Sequence, residues 1–528
     1  SPLDFAMNDM FLSTTGIYGT PLGVSTSIIF LFVLFGALLE RAGAGKYFID
    51  VAFGAFGRFR GGAAKAAVAA SGASGLYSGS SIANTVTTGT FTIPLMKKVG
   101  LPAYKAGAIE VAASTNGQLM PPVMGAAAFI MAEQLGLPYI DVVRAAVFPA
   151  IISYFALFYV VDLEAQKLGI RGLPKDQLPQ LLKTTVRGIH FVAPILVLFY
   201  FLLILRRSPI LSALYAIEAL AVIMLIQKPL IAWFAAHVAR RAGQATEGVG
   251  DLVFEGFKQG FLDIFDGAVA GARNMIAIGI ATAAAGIIVG VVTATGLVSR
   301  FTSLIDTLAM GSIHLVLVLT AICCLILGMG LPTTANYILM ASLMAPVIVE
   351  LGGNAGLIFP IIAAHLFVFY FGILADDTPP VGLAAYAAAA IAQSDPIKTG
   401  IQGFTYDMRT AILPFVFIFN TELLMISGVA ENGDIIWLDD WFKIAFVFAI
   451  SMMAMFAFAA AVQGWFADKL NIAQRLLLGA VCLFLFLPGI IAEPTSVPRE
   501  VVQVLVVVVM VVLYVWQHKR KKQHSTVS

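Results

Sequence analysis

Charge is scarce in this chain: only 12% of its 528 residues are Asp, Glu, Lys or Arg, where an ordinary soluble domain carries roughly 25%. So few charges cannot cover a water-facing surface of this size, which excludes a soluble enzyme. Cysteine is sparse too. Cys323 and Cys324 share an apolar run and Cys482 stands alone, so neither a disulfide framework nor a metal-ligand spacing is on offer. The net charge is only +2, with the bases in short clusters, which argues against nucleic acid as a partner. A phosphate-binding Gly-Lys-Ser/Thr loop is missing, which argues against an ATP-driven pump. A serine hydrolase needs Gly-x-Ser-x-Gly with a His partner, which the sequence does not supply. An intramembrane aspartyl protease needs two separated Asp on facing helices, whereas Asp376 and Asp377 are adjacent. No basic-then-apolar leader follows Ser1, and a processed product or the later part of a longer polypeptide is expected.

What the chain has in abundance is apolar side chains, with 59% hydrophobic residues and a mean hydropathy of +0.92. This is the composition of an all-α polytopic membrane protein. A span needs roughly 20 apolar residues. Single spans are expected near 21–39, 142–162, 190–205, 210–226, 271–295, 411–427, 442–462, 476–492 and 499–516. Two further crossings, near 103–135 and 355–394, are interrupted by Pro-Pro pairs. Segments near 62–97 and 313–350 are broken at their centres by small polar residues and read as re-entrant hairpins, giving eleven crossings in all.

The positive-inside rule orients this scheme. Basic clusters fall at Arg41 to Lys98, Lys167 to Arg187, Lys228 to Arg241 and His518 to Lys522. With the N-terminus outside, all four lie in the cytoplasm, together with the C-terminus. The loop carrying Glu431, Asp434, Asp439 and Asp440 then lies outside, and only Arg206 and Arg207 break the pattern. Amphipathic stretches near 46–57, 249–264 and 397–409 read either as arms in the interface plane or as linker helices packed on the bundle.

The most informative feature is a duplication. The first hairpin carries Ser78 to Thr85 at its centre, with Asn84, and a Pro pair begins 37 positions later at Pro121 after Asn116, Gly117 and Gln118. The second carries Gly328 to Asn336, and a Pro pair begins 43 positions after Asn336, following Asp376, Asp377 and Thr378. By the span count the two units have opposite orientations. Inverted repeats of this kind place a transporter's binding site at the repeat interface. Irregular backbone within a membrane survives only beside protein or a water-filled cavity, and freed carbonyls, hydroxyls and amides suit a small hard cation. Half-helix N-termini favour an anionic group.

The stretches GSSIANTVTTGTFTIP at 79–94, STNGQLMPPVMGAAAFIMAE at 114–133, GMGLPTTANYI at 328–338 and FGILADDTPPVGLAAYAAAAIA at 371–392 resemble the large membrane subunit of TRAP, or tripartite ATP-independent periplasmic, transporters. The last motif looks most like the TAXI branch, where small and large membrane subunits are often fused. The resemblance covers about 16–430 and implies an elevator-type secondary transporter of the bacterial inner membrane. It implies a periplasmic binding protein and small-subunit helices, fused or separate, as partners. It further implies a small organic anion as cargo and a cation gradient, sodium or alternatively protons, as the driver, with no cofactor. Carried over, one cation site comprises Ser80, Ser81, Asn84, Asn116, Gly117 and Gln118, and the other Gly330, Thr333, Thr334, Asn336, Asp376 and Asp377. Substrate would meet Ser81, Asn84, Thr85, Pro122, Thr334, Asn336, Thr378 and Pro380.

The adjacent acids depart from what a sodium-coupled relative is expected to show. Ionisable groups inside a membrane are costly and usually functional, so Asp376 or Asp377 is a candidate proton carrier, with His365 as a relay eleven positions earlier on the same helix. The alternative is that one Asp caps a half-helix while the other faces an aqueous cavity. Glu110 and Glu133 read as boundary or packing carboxylates, and Glu218 as the partner of a neighbouring helix. The expected organisation is a scaffold span and arm over 1–60, a first transport repeat over 61–135, scaffold and arms over 136–310, a second transport repeat over 311–395, and C-terminal spans with a basic tail over 396–528. A stand-alone carrier without a binding protein is the rival reading.

Overall fold

The computed structural model describes residues 2–241, 249–430 and 433–525; Glu431 and the side chains of Arg240, Lys521 and Lys522, counted above in the charged clusters, lie outside the described residues. Apolar residues carry helix α1 (Thr20–Ala42) until Gly43 ends it at a φ of 105°, a left-handed conformation that glycine adopts without a Cβ penalty. Helix α2 (Ala44–Phe56) follows. The first hairpin is α3 (Gly62–Gly75) and α4 (Ser81–Lys98), with Ser80 capping the second arm by accepting the Ala83 N–H at 3.3 Å. The first broken helix is α5 (Ala103–Gly117) and α6 (Ala127–Leu135). Its chain direction is reset by three consecutive left-handed residues, Met124, Gly125 and Ala126, at φ 47°, 61° and 66°. Two of these are not glycine, so the break stores backbone strain.

Helix α7 (Tyr139–Leu168) packs on both arms of this unit's core, α3 and α5, and on the C-terminal helices. Helices α8 (Pro209–Arg241) and α9 (Val249–Thr295) come next. At 47 residues, α9 runs about 70 Å at roughly 1.5 Å per residue. The 249–264 stretch and the 271–295 span, expected as separate elements, are thus one helix. The cause is packing. Gly256 and Gly260 abut α8, where a Cβ on Gly260 would lie 2.6 Å from the Met224 carbonyl oxygen. Gly267 and Gly271 abut α1, where a Cβ on Gly271 would lie 3.1 Å from Leu34 Cα. Small residues four apart let helix backbones approach. Asp263 and Asp266 add ion pairs: Asp263 to Arg41 at 3.4 Å and to Lys228, Asp266 to Arg41 at 2.7 Å.

The second hairpin is α10 (Ile313–Gly328) and α11 (Thr333–Leu343), and the second broken helix α12 (Ile361–Leu374) and α13 (Leu383–Ala392). Helix α14 (Pro396–Phe419) absorbs both the 397–409 stretch and the start of the 411–427 span. It is not an interfacial arm: it lies against α5, α12 and α13. The polar residues that made it look amphipathic, Asp407, Arg409 and Thr410, face protein and are buried. A two-stranded antiparallel hairpin, β1 (Ile426–Val429) with β2 (Ile435–Trp437), leads into α15 (Trp441–Gln463), α16 (Ile472–Phe486) and α17 (Arg499–Ser525).

Seven helices among the described residues are long and apolar enough to cross a membrane, or nine if each of two bent pairs counts as one span. The eleven expected crossings differ for identifiable reasons. The broken crossings consist of half-helices of 15, 9, 14 and 10 residues, each too short alone, and the 411–427 span divides between the end of α14 and the turn and strand that follow it. Conversely, Thr333–Asn354, read as part of the second hairpin, qualifies by itself.

The two repeats interlace. α13, the last half-helix of the second repeat, packs on α4 and α5 of the first; α6, the last half-helix of the first, packs on α11 and α12 of the second. Each repeat therefore completes the other's core.

Close approach of α9 to α8 makes a specific prediction. Gly260→Leu should cost about 1–3 kcal/mol through overpacking and lower the melting temperature in detergent. Gly279→Leu on the same helix, where nothing lies within 4 Å of the added Cβ, should leave it unchanged.

Candidate functional site

Each hairpin turns an Asn inward against glycine. Asn84 Nδ2 donates to the Ser71 carbonyl at 3.1 Å and to Ser71 Oγ at 2.9 Å, and a Cβ on Gly117 would lie 3.0 Å from the same nitrogen. Asn336 Nδ2 donates to the Gly372 carbonyl at 2.6 Å, with Gly328 of the opposite arm allowing the approach. The amide nitrogens are thus tied back to the hairpin's own repeat. Both amide oxygens, Asn84 Oδ1 and Asn336 Oδ1, are buried without a hydrogen-bond partner.

The second repeat's carboxylates reach into the first repeat. Asp376 Oδ2 accepts from Ser81 Oγ at 2.8 Å and from Gln118 Nε2 at 3.3 Å. Asp377 Oδ1 accepts from Thr115 Oγ1 at 2.6 Å. In the other direction, Thr334 Oγ1 of the second hairpin donates to the Gly125 carbonyl in the first break at 3.2 Å. Thr333 packs its methyl beside Gly125, where a Cβ would lie 3.2 Å from Thr333 Cγ2. All four breaks therefore meet at one centre.

Of the expected first cation group, Ser81, Asn84, Asn116, Gly117 and Gln118 converge there, while Ser80 serves as the cap of α4 and is half-buried. Of the second, Thr333, Thr334 and Asn336 line the same centre, and Gly330 forms the turn at φ 79°. Asp376 and Asp377 bond to Ser81, Gln118 and Thr115 of the first repeat. Thr85 is buried with Oγ1 unpartnered. Thr378 donates to the Leu374 carbonyl at 2.7 Å. The Pro pairs are treated alike: both carry a cis bond, and a tyrosine hydroxyl donates to each second carbonyl, Tyr139 to Pro122 and Tyr386 to Pro380. His365 is bonded through Nδ1 to the Tyr337 hydroxyl at 2.8 Å, and eleven residues separate it from Asp376, roughly 16 Å along a helix axis. Glu133 and Glu218 are exposed, the latter on the surface of α8.

The sequence reading missed a layer behind this centre. Asp407 of α14 is a further buried acid behind Asp377. Arg409 holds Asp407 Oδ1 at 2.6 Å through Nη1, which also donates to the Tyr406 carbonyl, and Nε donates to the Ser153 carbonyl at 3.2 Å. Ser153 and Thr410 both donate to Asn116 Oδ1, at 3.1 and 3.2 Å. Asp407 and Arg409 are 0% and 1% exposed in their side chains, so this is a fully desolvated pair. The available signal was a charged pair placed just before a long apolar run.

Four of the unpartnered atoms, Asn84 Oδ1, Gln118 Oε1, Asn336 Oδ1 and Asp377 Oδ2, are oxygen acceptors, beside the Thr85 hydroxyl and two unpartnered donors, Asn116 Nδ2 and Arg409 Nη2; a small hard cation seeks oxygen. Amide and carboxylate oxygens at the meeting point of four helix breaks define a membrane transport protein, not an enzyme. More particularly, the chain belongs to the DctM component family of tripartite ATP-independent periplasmic transporters, whose pattern it matches over residues 5–431. Residues 444–522 match a separate domain of unknown function, DUF3394. The chain is similar to the 2,3-diketo-L-gulonate TRAP transporter large permease protein YiaN of Escherichia coli K12, 22% identical over 75% of this chain and 85% of that protein. It is also similar to the C4-dicarboxylate TRAP transporter large permease protein DctM of Pseudomonas aeruginosa, 26% identical over 30% of this chain and 36% of that one.

The buried pair can be tested through its asymmetry. Breaking a desolvated ion pair leaves one charge uncompensated and costs about 3–5 kcal/mol, whereas removing both partners costs far less. Arg409→Gln should therefore depress the melting temperature strongly, and Asp407→Asn combined with Arg409→Gln should recover most of the loss.

Proposed function

We propose that this TRAP permease subunit imports a small carboxylate, handed over by a periplasmic binding protein, by an elevator motion driven by a sodium gradient. The carrying observation is the set of buried, unpartnered amide oxygens at both hairpins and the first break, Asn84 Oδ1, Asn336 Oδ1 and Gln118 Oε1. Two groups of neutral oxygens related by an inverted repeat suit a pair of monovalent hard cations. Charge supports the same reading. Arg409 is paired with Asp407, Asp376 and Asp377 are buried without an ion-pair partner among the described residues, and bound cations would offset their charge. The relatives' printed substrates, a C4-dicarboxylate and a diketo-gulonate, favour a carboxylate as cargo. We also assign the chain to the TAXI branch, on ADDTPP at 375–380, with its N-terminal end periplasmic, its C-terminal end cytoplasmic, and small-subunit helices as partners.

In this reading the interlaced repeats move as one body, with hairpins, broken helices and α14 carrying the site, while α1, α8 and α9 stay fixed. Sodium entering beside the amide oxygens would restrain both tips and favour the substrate's carboxylate. Thr334, Thr378 and the half-helix N-termini are the groups suited to receive it.

Uptake of labelled C4-dicarboxylate into proteoliposomes, with the binding protein and small-subunit helices present, tests the coupling. Asn84→Ala and Asn336→Ala should each lower sodium-driven uptake at least about tenfold, the factor that corresponds to roughly 1.4 kcal/mol, while remaining monodisperse. Accumulation in sodium-free vesicles under an imposed pH gradient would make the proton the driver instead. For the motion, cysteine pairs joining α4 to α8, in a background lacking Cys323, Cys324 and Cys482, should stop uptake when oxidised and restore it on reduction. Uptake that continues with the crosslink intact would rule out the elevator.

A further inference from the structure

Glu110 sits midway along α5, is 0% exposed, and takes no part in the contacts that join the four breaks. Its carboxyl oxygens meet two hydroxyls from α4: Oε1 meets Thr88 at short range, and Oε2 meets Thr92 at 2.5 Å. Each threonine hydroxyl also lies against a helix carbonyl one turn back, Thr88 on the Asn84 oxygen at 2.7 Å and Thr92 on the Thr88 oxygen at 3.0 Å.

A count of protons decides how these contacts are filled. A hydroxyl has one proton to donate, and an ionised carboxylate only accepts. With Glu110 ionised, two threonine protons serve four oxygen contacts, and two pairs of oxygens face each other at hydrogen-bond distance with nothing between them. A protonated Glu110 supplies a third proton, so that one such contact remains unfilled instead of two. It donates to one threonine, which then donates to its own helix carbonyl.

Charge in the surroundings points the same way. From α3, Lys65 is committed to Asp162 at 2.7 Å, and Ser71 pairs with Ser114 at 3.2 Å. From α4, Lys97 lies on the Ala392 carbonyl at 2.6 Å; on α5 itself, Lys105 holds Glu164 at 2.6 Å. From α7 comes Tyr154, whose hydroxyl donates to the Ala113 carbonyl at 3.2 Å. From α14 come Tyr406 and the Asp407–Arg409 pair, and Arg409 is held by Asp407. The face of α13 nearest Gly89 and Glu110 is Ile391 among alanines. Among the described residues no cation pairs with Glu110, and a desolvated carboxylate without a counter-charge costs several kcal/mol.

We propose that Glu110 is a proton-binding site separate from both cation groups: a neutral carboxylic acid that latches α4 to α5. Because Thr88 also bonds the carbonyl of Asn84, the latch holds the helical turn that carries the first hairpin's inward amide. Losing the proton releases α4 from α5 and loosens that tip.

Infrared difference spectroscopy on the full-length protein in detergent tests this without any substrate, so its outcome is independent of the import reading. In sodium-free buffer near neutral pH, the wild type should show the carbonyl stretch of a protonated, hydrogen-bonded carboxyl, which Glu110→Gln should lack. Raising the pH should abolish the band and lower the wild-type melting temperature more steeply than that of Glu110→Gln. If Glu110→Gln does not assemble, Thr92→Val, which keeps the carboxyl but removes one partner, should shift the band. Spectra in which neither substitution changes any protonated-carboxyl band overturn the proposal. So does a band that sodium removes at constant pH, since that would make Glu110 a cation ligand.

Discussion

Two neighbouring carboxylates from one repeat, seated among the hydroxyls and amides of the other, hold this protein's centre together. A helix broken inside a membrane exposes backbone groups that hydrocarbon cannot satisfy, and four such breaks are tolerable only if they satisfy one another. Thr334 satisfies a backbone carbonyl of the first break, that of Gly125, and Asp376 and Asp377 tie the breaks together through the side chains of Ser81, Gln118 and Thr115. The placement of other elements follows. Behind these acids α14 places a further buried acid, Asp407, which is held by its own counter-charge, Arg409. α14 consequently lies against both broken helices instead of at the periphery.

The repeats are alike in plan and unlike in chemistry. Both tether an Asn through its nitrogen and leave its oxygen unpartnered, and both cover the carbonyl of the second proline with a tyrosine hydroxyl. At the breaks they diverge. The first turns its chain with three left-handed residues and offers a neutral amide, Gln118, while the second keeps negative φ values and offers two acids. A duplicated plan thus carries unequal side chains, with the two acids on one side of the interface.

Much of this was legible in the sequence because it depends on local backbone chemistry. Glycine, proline and small polar residues inside apolar runs located every break, and the inward Asn of each hairpin stood where the spacing placed it. What escaped were relations between distant segments. The pairing of Asp376 with Ser81 joins positions 295 residues apart, and no periodicity encodes it. The stretch at 397–409 read either as an interfacial arm or as a packed linker helix, because an amphipathic pattern is identical whether the polar face meets water or buried protein groups. α9 was divided in two since its polar and apolar halves differ in composition. Only its contacts with α1 and α8 make it continuous. Glu110 was passed over because a single acid in an apolar helix carries no information about the threonines opposite it.

The exchange of final half-helices between repeats has a consequence for the order in which the chain can fold. α6 leaves the ribosome with the first repeat, but α11 and α12, on which it packs, arrive only after residues 136–332 have been made. At synthesis rates of about 5–20 residues per second, that interval is on the order of 10–40 s. Throughout it the strained turn at Met124–Ala126 has no second hairpin against it, and Ser81, Thr115 and Gln118 lack their acceptors. The first repeat must therefore wait in the membrane as an unfinished core, and closure comes as one late event when the second repeat is complete.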